Sequence, residues 1–99
     1  MDQILITLQK FRTTMLAAGY DEVTERRWEA NSVLEQHSHP FEANAIVVDG
    51  EMWLGIEDGA PRRLLAGDTF HIAAGVRHDE RYGETGAAYW VARRNAASE

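Results

Sequence analysis

The chain from Asn31 to Gly50 has the sequence Asn-Ser-Val-Leu-Glu-Gln-His-Ser-His-Pro-Phe-Glu-Ala-Asn-Ala-Ile-Val-Val-Asp-Gly, and this stretch decides how the rest is interpreted. His37 and His39 stand two residues apart in a segment of β character. Because side chains alternate between the faces of a strand, both imidazoles are predicted to point the same way. Two imidazoles directed at one point form half of a metal site. His78 lies downstream, after the turn residues Ala74-Gly75, and we predict that the three histidines meet around one metal inside a small β-barrel.

Turn signals recur every eight to twelve residues beyond Trp28 and divide the chain into short apolar segments. Asp49-Gly50 and Asp58-Gly59 are the strongest, since a two-residue type I′ hairpin needs positive φ at both central residues. Many short strands at this spacing are typical of an antiparallel sandwich or barrel. The predicted strands are Ala45–Val48, Met52–Ile56, Arg62–Leu65, Thr69–Ile72, His78–Tyr82 and Ala87–Arg93, with a polar edge strand in residues 21–28.

The first nineteen residues are predicted to form one helix that packs on the barrel or on a dimer partner. Apolar residues recur at helical spacing over residues 2–18, with Asp2 as N-cap and Gly19 beyond the C-terminus. The stripe consists of Ile4, Leu5, Leu8, Phe11, Met15 and Leu16. The fold class is therefore all-β with an N-terminal α-helix: residues 1–19 form the helix, 20–94 the barrel and 95–99 a tail, within one domain.

Composition excludes several functional classes. The net charge of −6 argues against a partner with a phosphate backbone, so no nucleic acid is expected. No cysteine is present, so a metal must depend on His, Asp, Glu or backbone ligands. No apolar run approaches the roughly 20 residues needed to span a bilayer, and no signal-peptide pattern opens the sequence. We expect a cytoplasmic protein that does not associate with membranes.

Strand alternation also assigns side chains around the histidines. Glu80 and Tyr82 share the predicted face of His78, which makes them candidates for proton transfer, although both residue types also occur as ordinary polar residues at a barrel rim. His71 is predicted to face outward. The members of each arginine pair, 26–27, 62–63 and 93–94, lie on opposite faces of an extended chain and are interpreted as solvated strand charges. Either Tyr89 or Trp90 should line the interior, since the two point to opposite sides.

The two histidine motifs resemble those of small single-domain cupins. The first family motif, Gly-x5-His-x-His-x3–4-Glu-x6-Gly, corresponds here to Asn31, His37, His39 and Gly50, with Asn replacing the opening glycine. The second, Gly-x5-Pro-x-Gly-x2-His-x3-Asn, matches Gly67, Gly75 and His78, whereas Ala73 and Tyr82 replace the proline and the asparagine. The resemblance spans residues 31–82 and implies a jelly-roll-like cupin β-barrel with a metal bound by His37, His39 and His78.

The sequence departs from the family where the glutamate ligand is expected. That position is Ala43, whose methyl group cannot coordinate a metal. Glu42 is adjacent, but it reaches the same face only if a β-bulge shifts the register by one residue. Without the carboxylate, a three-histidine site favours Fe²⁺, Ni²⁺, Cu²⁺ or Zn²⁺ over Mn²⁺. No organic cofactor is implied.

Three functions follow from these residues. The first is a metal-dependent enzyme, dioxygenase-like or isomerase- or lyase-like, that acts on a small organic molecule through the three histidines, with Glu80 or Tyr82 as proton carrier. The second is a non-catalytic cupin module that binds or senses a metal or a small ligand. The third is an inert barrel. A homodimer is expected, because the amphipathic helix, Trp28 and Trp53 offer apolar surface.

Overall fold

The computed structural model of the protein describes residues 7–95, which form one helix and six strands. Pairing is antiparallel throughout these strands, and the two longest, β3 and β6, contain 16 and 18 residues. The elements in chain order are α1 Leu8–Ala17, β1 Glu22–Trp28, β2 Val33–His37, β3 Phe41–Ile56, β4 Arg62–Leu65, β5 Thr69–Ile72 and β6 His78–Asn95.

Strands β3 and β6 build both walls of the barrel. The first part of β3 pairs with β5 and with the last part of β6, which in turn pairs with β1. The last part of β3 pairs with β4 and with the first part of β6, which also pairs with β2. Apolar side chains from both walls pack against each other between them. This arrangement confirms the predicted antiparallel, jelly-roll-like barrel.

The predicted hairpin at Asp49-Gly50 is wrong, because β3 continues through these residues. The strand instead bends, with register shifts on either side of the pair, and β6 bends opposite it through residues 83–86. Gly50 has φ +80°, and a Cβ placed there would lie 2.1 Å from the carbonyl oxygen of Gly86. Gly50 is therefore needed because the backbones of β3 and β6 come close together here, and not because the chain reverses direction.

The predicted break between Tyr82 and Ala87 is also wrong, because β6 runs without interruption from His78 to Asn95, whereas the turn predicted at Asp58-Gly59 agrees with the structure in position. Residues 57–61 connect β3 and β4 and contain a turn in which the Gly59 N–H donates to the Ile56 carbonyl oxygen at 2.9 Å. This connection is longer than the predicted two-residue loop, and its positive φ falls on Glu57 at 55°. Asn31 has φ 61°, in keeping with its place at a position where the family motif has glycine.

The helix is shorter than predicted within the described residues. Thr7 is its N-cap and accepts a hydrogen bond from the Lys10 N–H at 3.1 Å, while the predicted N-cap Asp2 lies outside the described residues, as do Ile4 and Leu5. The C-terminus has paired Schellman bonds around Gly19, as expected for a helix that ends at glycine. No helix in residues 7–95 has the length and apolar character required to cross a membrane.

One face of the helix covers the outside of the wall that contains β1. Phe11 is buried there against Val23 and Ala92, with its ring centroid 6.1 Å from that of Trp90. Leu16, assigned to the apolar stripe, is 45% exposed and lies outside this contact. Trp90 therefore belongs to the outer layer, and Tyr89 is the neighbour that faces the interior.

Strand β6 extends one residue beyond the predicted barrel. Asn95 pairs with Phe41, and its backbone N–H donates to the Asp21 carboxylate at 2.9 Å. Residues 96–99 of the predicted tail lie outside the described residues. Strand β1 pairs along one side with β6, which agrees with its prediction as an edge strand.

Candidate functional site

The structure brings the three sequence-predicted histidines together at one end of the barrel. His37 is the last residue of β2 and pairs with His78, the first residue of β6, with 4.4 Å between their ring centroids. His39 follows in the loop, with its centroid 4.8 Å from that of His78 and 6.4 Å from that of His37. Because β2 ends at His37, the convergence of His37 and His39 depends on the turn after the strand and not on the predicted alternation within one strand.

Backbone carbonyls orient all three imidazoles in the same manner. The Nδ1 atoms of His37, His39 and His78 lie 2.7, 3.0 and 3.0 Å from carbonyl oxygens two residues away along the chain. A carbonyl oxygen only accepts, so each Nδ1 carries the hydrogen in the neutral ring, and each Nε2 keeps its lone pair. Imidazoles whose Nδ1 atoms are held in this way could offer Nε2 to a divalent transition metal.

The environment of His39 favours the neutral ring. Burial lowers the pKa of His39, and nearby positive charge on His78, His37 and Arg93 lowers it further, while the Phe41 carbonyl acts in the opposite direction. The imidazole also stacks on the Phe41 ring, with centroids 3.9 Å apart and an interplanar angle of 4°. Neutral imidazole is the form that coordinates a metal.

Glu80 adds a carboxylate to the same cluster. It lies two residues beyond His78 on β6, with 7% of its surface exposed. Its Oε2 is 3.6 Å from Nε2 of His78 and 3.8 Å from Nε2 of His37. One potential ligand atom from each of these three residues lies within 4.8 Å of the others, so Glu80, His37 and His78 could together hold a metal ion.

Tyr82 holds the other oxygen of this carboxylate. Its hydroxyl donates a short hydrogen bond to Oε1 of Glu80, and its ring stacks on Trp28 at 5.5 Å between centroids. Burial raises the pKa of the Tyr82 hydroxyl, and the neighbouring Tyr89 and Glu80 raise it further. The hydroxyl therefore stays protonated and directs its hydrogen at Glu80. Tyr89 in turn accepts from the Trp28 indole N–H at 3.3 Å.

Glu42 lies on the outer surface of the barrel and is therefore not a possible ligand for a metal at the histidines. Pairing between β3 and β6 is regular here, so no bulge turns the side chain inward. Glu42 instead accepts hydrogen bonds from Arg94 and Tyr20 and contacts the exposed His71 on the outer surface. Bonds from His71 and Arg94 lower the pKa of Glu42 to about 2. Ala43 faces the cavity beside the histidines, as the family alignment requires, and contributes only its methyl group.

A cavity of about 130 Å³ extends from the histidines into the barrel. Aromatic and aliphatic side chains cover most of its wall, and Arg26 and Arg93 supply positive charge. The Arg93 guanidinium lies over the Phe41 ring at 4.5 Å, while its Nε is buried without a hydrogen-bond partner. Its Nη1 is 3.6 Å from the Glu22 carboxylate. The cavity therefore presents a cation within reach of the histidine cluster.

Sequence reasoning missed these two arginines by treating them as solvated strand charges. The signal was present in strand alternation, because Tyr89, Val91 and Arg93 share one face of β6. It was also present in Arg26 and Trp28, which share a face of β1 and contact each other at 5.1 Å. Trp28, which the sequence suggests as surface for a dimer, is partly buried: it lines the cavity and packs on the core.

A family model described as a cupin domain matches residues 26–92. The chain belongs to the cupin family. No curated protein sequence matches it. The cupin fold expected from the sequence thus has independent support.

Several solved cupin structures resemble this one. An RmlC-like cupin from Shewanella frigidimarina is 24% identical over 77% of this chain and 67% of its own, with a TM-score of 0.65. DMSP lyase DddQ from Ruegeria pomeroyi is 25% identical over 78% of this chain and 39% of its own, with a TM-score of 0.69. An oxalate decarboxylase from Bacillus subtilis with Mn(II) centres is 19% identical over 85% of this chain, with a TM-score of 0.68. The chain spans only 24% of that decarboxylase.

Proposed function

We propose that this cupin is a metal-dependent enzyme whose metal is held by Nε2 of His37, His39 and His78 and whose substrate is a small organic anion. The observation that carries the proposal is the same hydrogen bond in all three imidazoles, whose ring centroids lie 4.4 to 6.4 Å apart. Each Nδ1–H is bound to a backbone carbonyl, which leaves three lone pairs at one end of a cavity. Such an arrangement leaves coordination positions open for substrate, as catalytic metal sites require.

The metal would act as a Lewis acid towards an oxygen-donating substrate or, if it is Fe²⁺, would support reaction with O₂. Either chemistry fits the dioxygenase-like or lyase-like activity expected from the sequence. The protein's own contribution is to fix the imidazoles, exclude water with the aromatic wall and retain a carboxylate beside the site. The similar structures include a DMSP lyase and an oxalate decarboxylase, which supports a small substrate.

The two cavity arginines support a negatively charged substrate. Arg93 presents a buried Nε that has no hydrogen-bond partner, and such a group gains most from a carboxylate acceptor. A carboxylate bound there would lie over the aromatic pair of Phe41 and His39, next to the histidine cluster. The cavity's limited volume excludes large polymers and favours a molecule of a few heavy atoms.

The first experiment measures metal content by elemental analysis after purification without a polyhistidine tag. We expect about one equivalent of metal in the parent and none in the His37→Ala/His39→Ala variant. His71→Ala is the matched control, since His71 is the remaining histidine and contacts Glu42 on the outer surface. Lack of metal in the parent, even after reconstitution with Fe²⁺, Mn²⁺, Ni²⁺ and Zn²⁺, would contradict the proposal.

The second experiment tests the substrate class on metal-loaded protein. Calorimetric titration with short carboxylates and with the corresponding amides should show binding of the carboxylates only. Arg93→Gln should weaken that binding by about tenfold, because a hydrogen bond to a charged group is lost, whereas Arg12→Gln on the helix should not. Equal binding of amides would contradict an anionic substrate. Incubation of bound carboxylates with Fe²⁺ and air, followed by mass spectrometry, distinguishes an enzyme from a binding module.

A further inference from the structure

We propose that Glu80 is the fourth metal ligand, so that the carboxylate absent from Ala43 on β3 is supplied instead from β6 on the opposite wall. This inference depends on the proposed metal site at the three histidines. It assigns Glu80 to coordination instead of the proton transfer expected from the sequence, and it assigns Tyr82 to positioning.

The distances place Oε2 of Glu80 where a shared cation would bring ligand atoms together. Two donor atoms bound to one metal at about 2.1 Å lie roughly 3.0–3.5 Å apart for angles between 90° and 110°. Oε2 lies 3.6 Å from Nε2 of His78 and 3.8 Å from Nε2 of His37. A small rotation of the side chain closes this difference. Both separations exceed the usual limit for a hydrogen bond.

The hydrogen bonds of His37 and His78 leave acceptor atoms directed at Glu80, which favours a cation between the three side chains. The Nδ1 hydrogens of His37 and His78 are committed to carbonyl oxygens, so each neutral ring directs the lone pair of its Nε2 towards the carboxylate oxygen. Three electron-rich atoms thus face one another in a site where Glu80 is 7% exposed.

Tyr82 determines which oxygen faces the histidines. Its hydroxyl donates to Oε1, which leaves Oε2 for the cluster. The tyrosine is itself fixed by the stacked Trp28 ring, with 1% of its surface exposed. A hydrogen-bond donor on the non-coordinating oxygen is the usual support for a ligating carboxylate.

A carboxylate ligand also changes the expected metal preference. Three neutral imidazoles leave the full charge of a divalent ion, whereas coordination by Glu80 reduces the net charge of the centre by one. Carboxylate oxygen suits harder ions such as Mn²⁺ better than imidazole alone does. Mn²⁺ therefore becomes competitive with the ions predicted for a three-histidine site.

The test compares the parent with Glu80→Gln, which keeps the shape and removes the ligating charge, and Glu80→Asp, which keeps the carboxylate. The metal is Co²⁺, titrated against a competing chelator and followed by its visible absorption spectrum. We expect Glu80→Gln to weaken binding by about 100-fold and to change the spectrum, since even outer partners of ligands contribute about 10–100-fold. Glu80→Asp should recover part of the affinity, and Tyr82→Phe should weaken binding about tenfold without a new spectrum. Glu84→Gln, an exposed change on the same strand, should match the parent.

Parent-like affinity and an unchanged spectrum in Glu80→Gln would overturn this inference while leaving the three-histidine proposal intact. Failure of the parent to bind Co²⁺, Mn²⁺, Fe²⁺ and Zn²⁺ would overturn both. If Glu80→Gln does not fold, infrared difference spectra of the parent with one equivalent of Zn²⁺ decide the question. A zinc-induced shift of the carboxylate stretching band that is also seen in the Glu84→Gln variant supports coordination by Glu80. If zinc causes no such shift, coordination by Glu80 is contradicted.

Discussion

Gly50 should be the glycine least able to accept a side chain, because β3 and β6 cross at this residue. An added Cβ would lie 2.1 Å from the Gly86 carbonyl oxygen and 2.7 Å from the Ala87 Cα, both of which are backbone atoms. Backbone atoms cannot move aside by changing rotamer, so relief requires displacement of β6. Gly75 offers a matched control: its φ is +81° against +80° for Gly50, but a Cβ there meets no atom within 4 Å.

Both substitutions to alanine place a side chain at a residue with positive φ, but only Gly50→Ala also brings the new methyl group into overlap with β6. Positive φ costs an alanine about 1–2 kcal/mol relative to glycine, offset by about 0.5 kcal/mol from the stiffer unfolded chain. Gly75→Ala should thus lower the free energy of unfolding by about 0.5–1.5 kcal/mol. Gly50→Ala adds the overlap with β6, which overpacking data put at about 1–3 kcal/mol, for a total of about 2–4 kcal/mol.

Urea denaturation followed by tryptophan fluorescence measures both changes, and thermal unfolding gives a second value. A domain of this size loses about 4–8 °C in Tm per kcal/mol, so Gly50→Ala should lower Tm by roughly 10–25 °C. Gly75→Ala should lower it by less than about 10 °C. Equal destabilisation by the two variants would refute the reasoning, because it would mean that φ alone accounts for Gly50 and that the crossing strands tolerate a methyl group.

Four further predictions concern the outer surface, the helix, the histidine cluster and the assembly. The pKa of Glu42 is lowered to about 2 from 4.5, so the contacts of its carboxylate stabilise the fold fully above pH 4.5. This stabilisation is lost as the pH falls towards 2. The difference in urea midpoint between the parent and the Glu42→Gln variant should therefore disappear between pH 4.5 and pH 2. Phe11→Ala should lower the free energy of unfolding by about 3–5 kcal/mol, because the side chain is buried between the helix and the sheet, and it should reduce helical circular dichroism before the tryptophan signal changes. Zn²⁺ at 100 times its Kd should stabilise the parent and His71→Ala by about 2.7 kcal/mol, and a similar Tm gain in His78→Ala would contradict the assigned ligands. We expect a homodimer by size-exclusion chromatography with light scattering, because β1 leaves one strand edge unpaired among the described residues; a monomer at micromolar concentration would contradict it.

The sequence predicts features that depend on local chemistry. The alternation of side chains along a strand predicts that Ala43, Ala45 and Val47 face inward, and all three are buried. It also predicts the outward position of His71. Local spacing also identifies the turn before His78. These predictions succeed because they use only the two-residue period of a strand and the conformational preference of glycine.

Features that depend on distant pairing were harder to predict. Asp49-Gly50 has the composition of a hairpin turn, and only its partner Gly86 on β6 reveals a bend within a continuous strand. This partner lies about 35 residues away along the chain, and no local pattern encodes such a contact.

The carboxylate ligand of the proposed metal site could not be located from local sequence spacing either. A motif specifies ligands by their spacing along one stretch, and on that basis Ala43 indicates a missing ligand. The histidine cluster, however, lies between two walls that both face it. Ala43 belongs to the wall formed by the first part of β3, and Glu80 belongs to the wall formed by the first part of β6. A carboxylate on either wall would face the histidine cluster, and this is why we propose Glu80 as the ligand that replaces the one missing at Ala43.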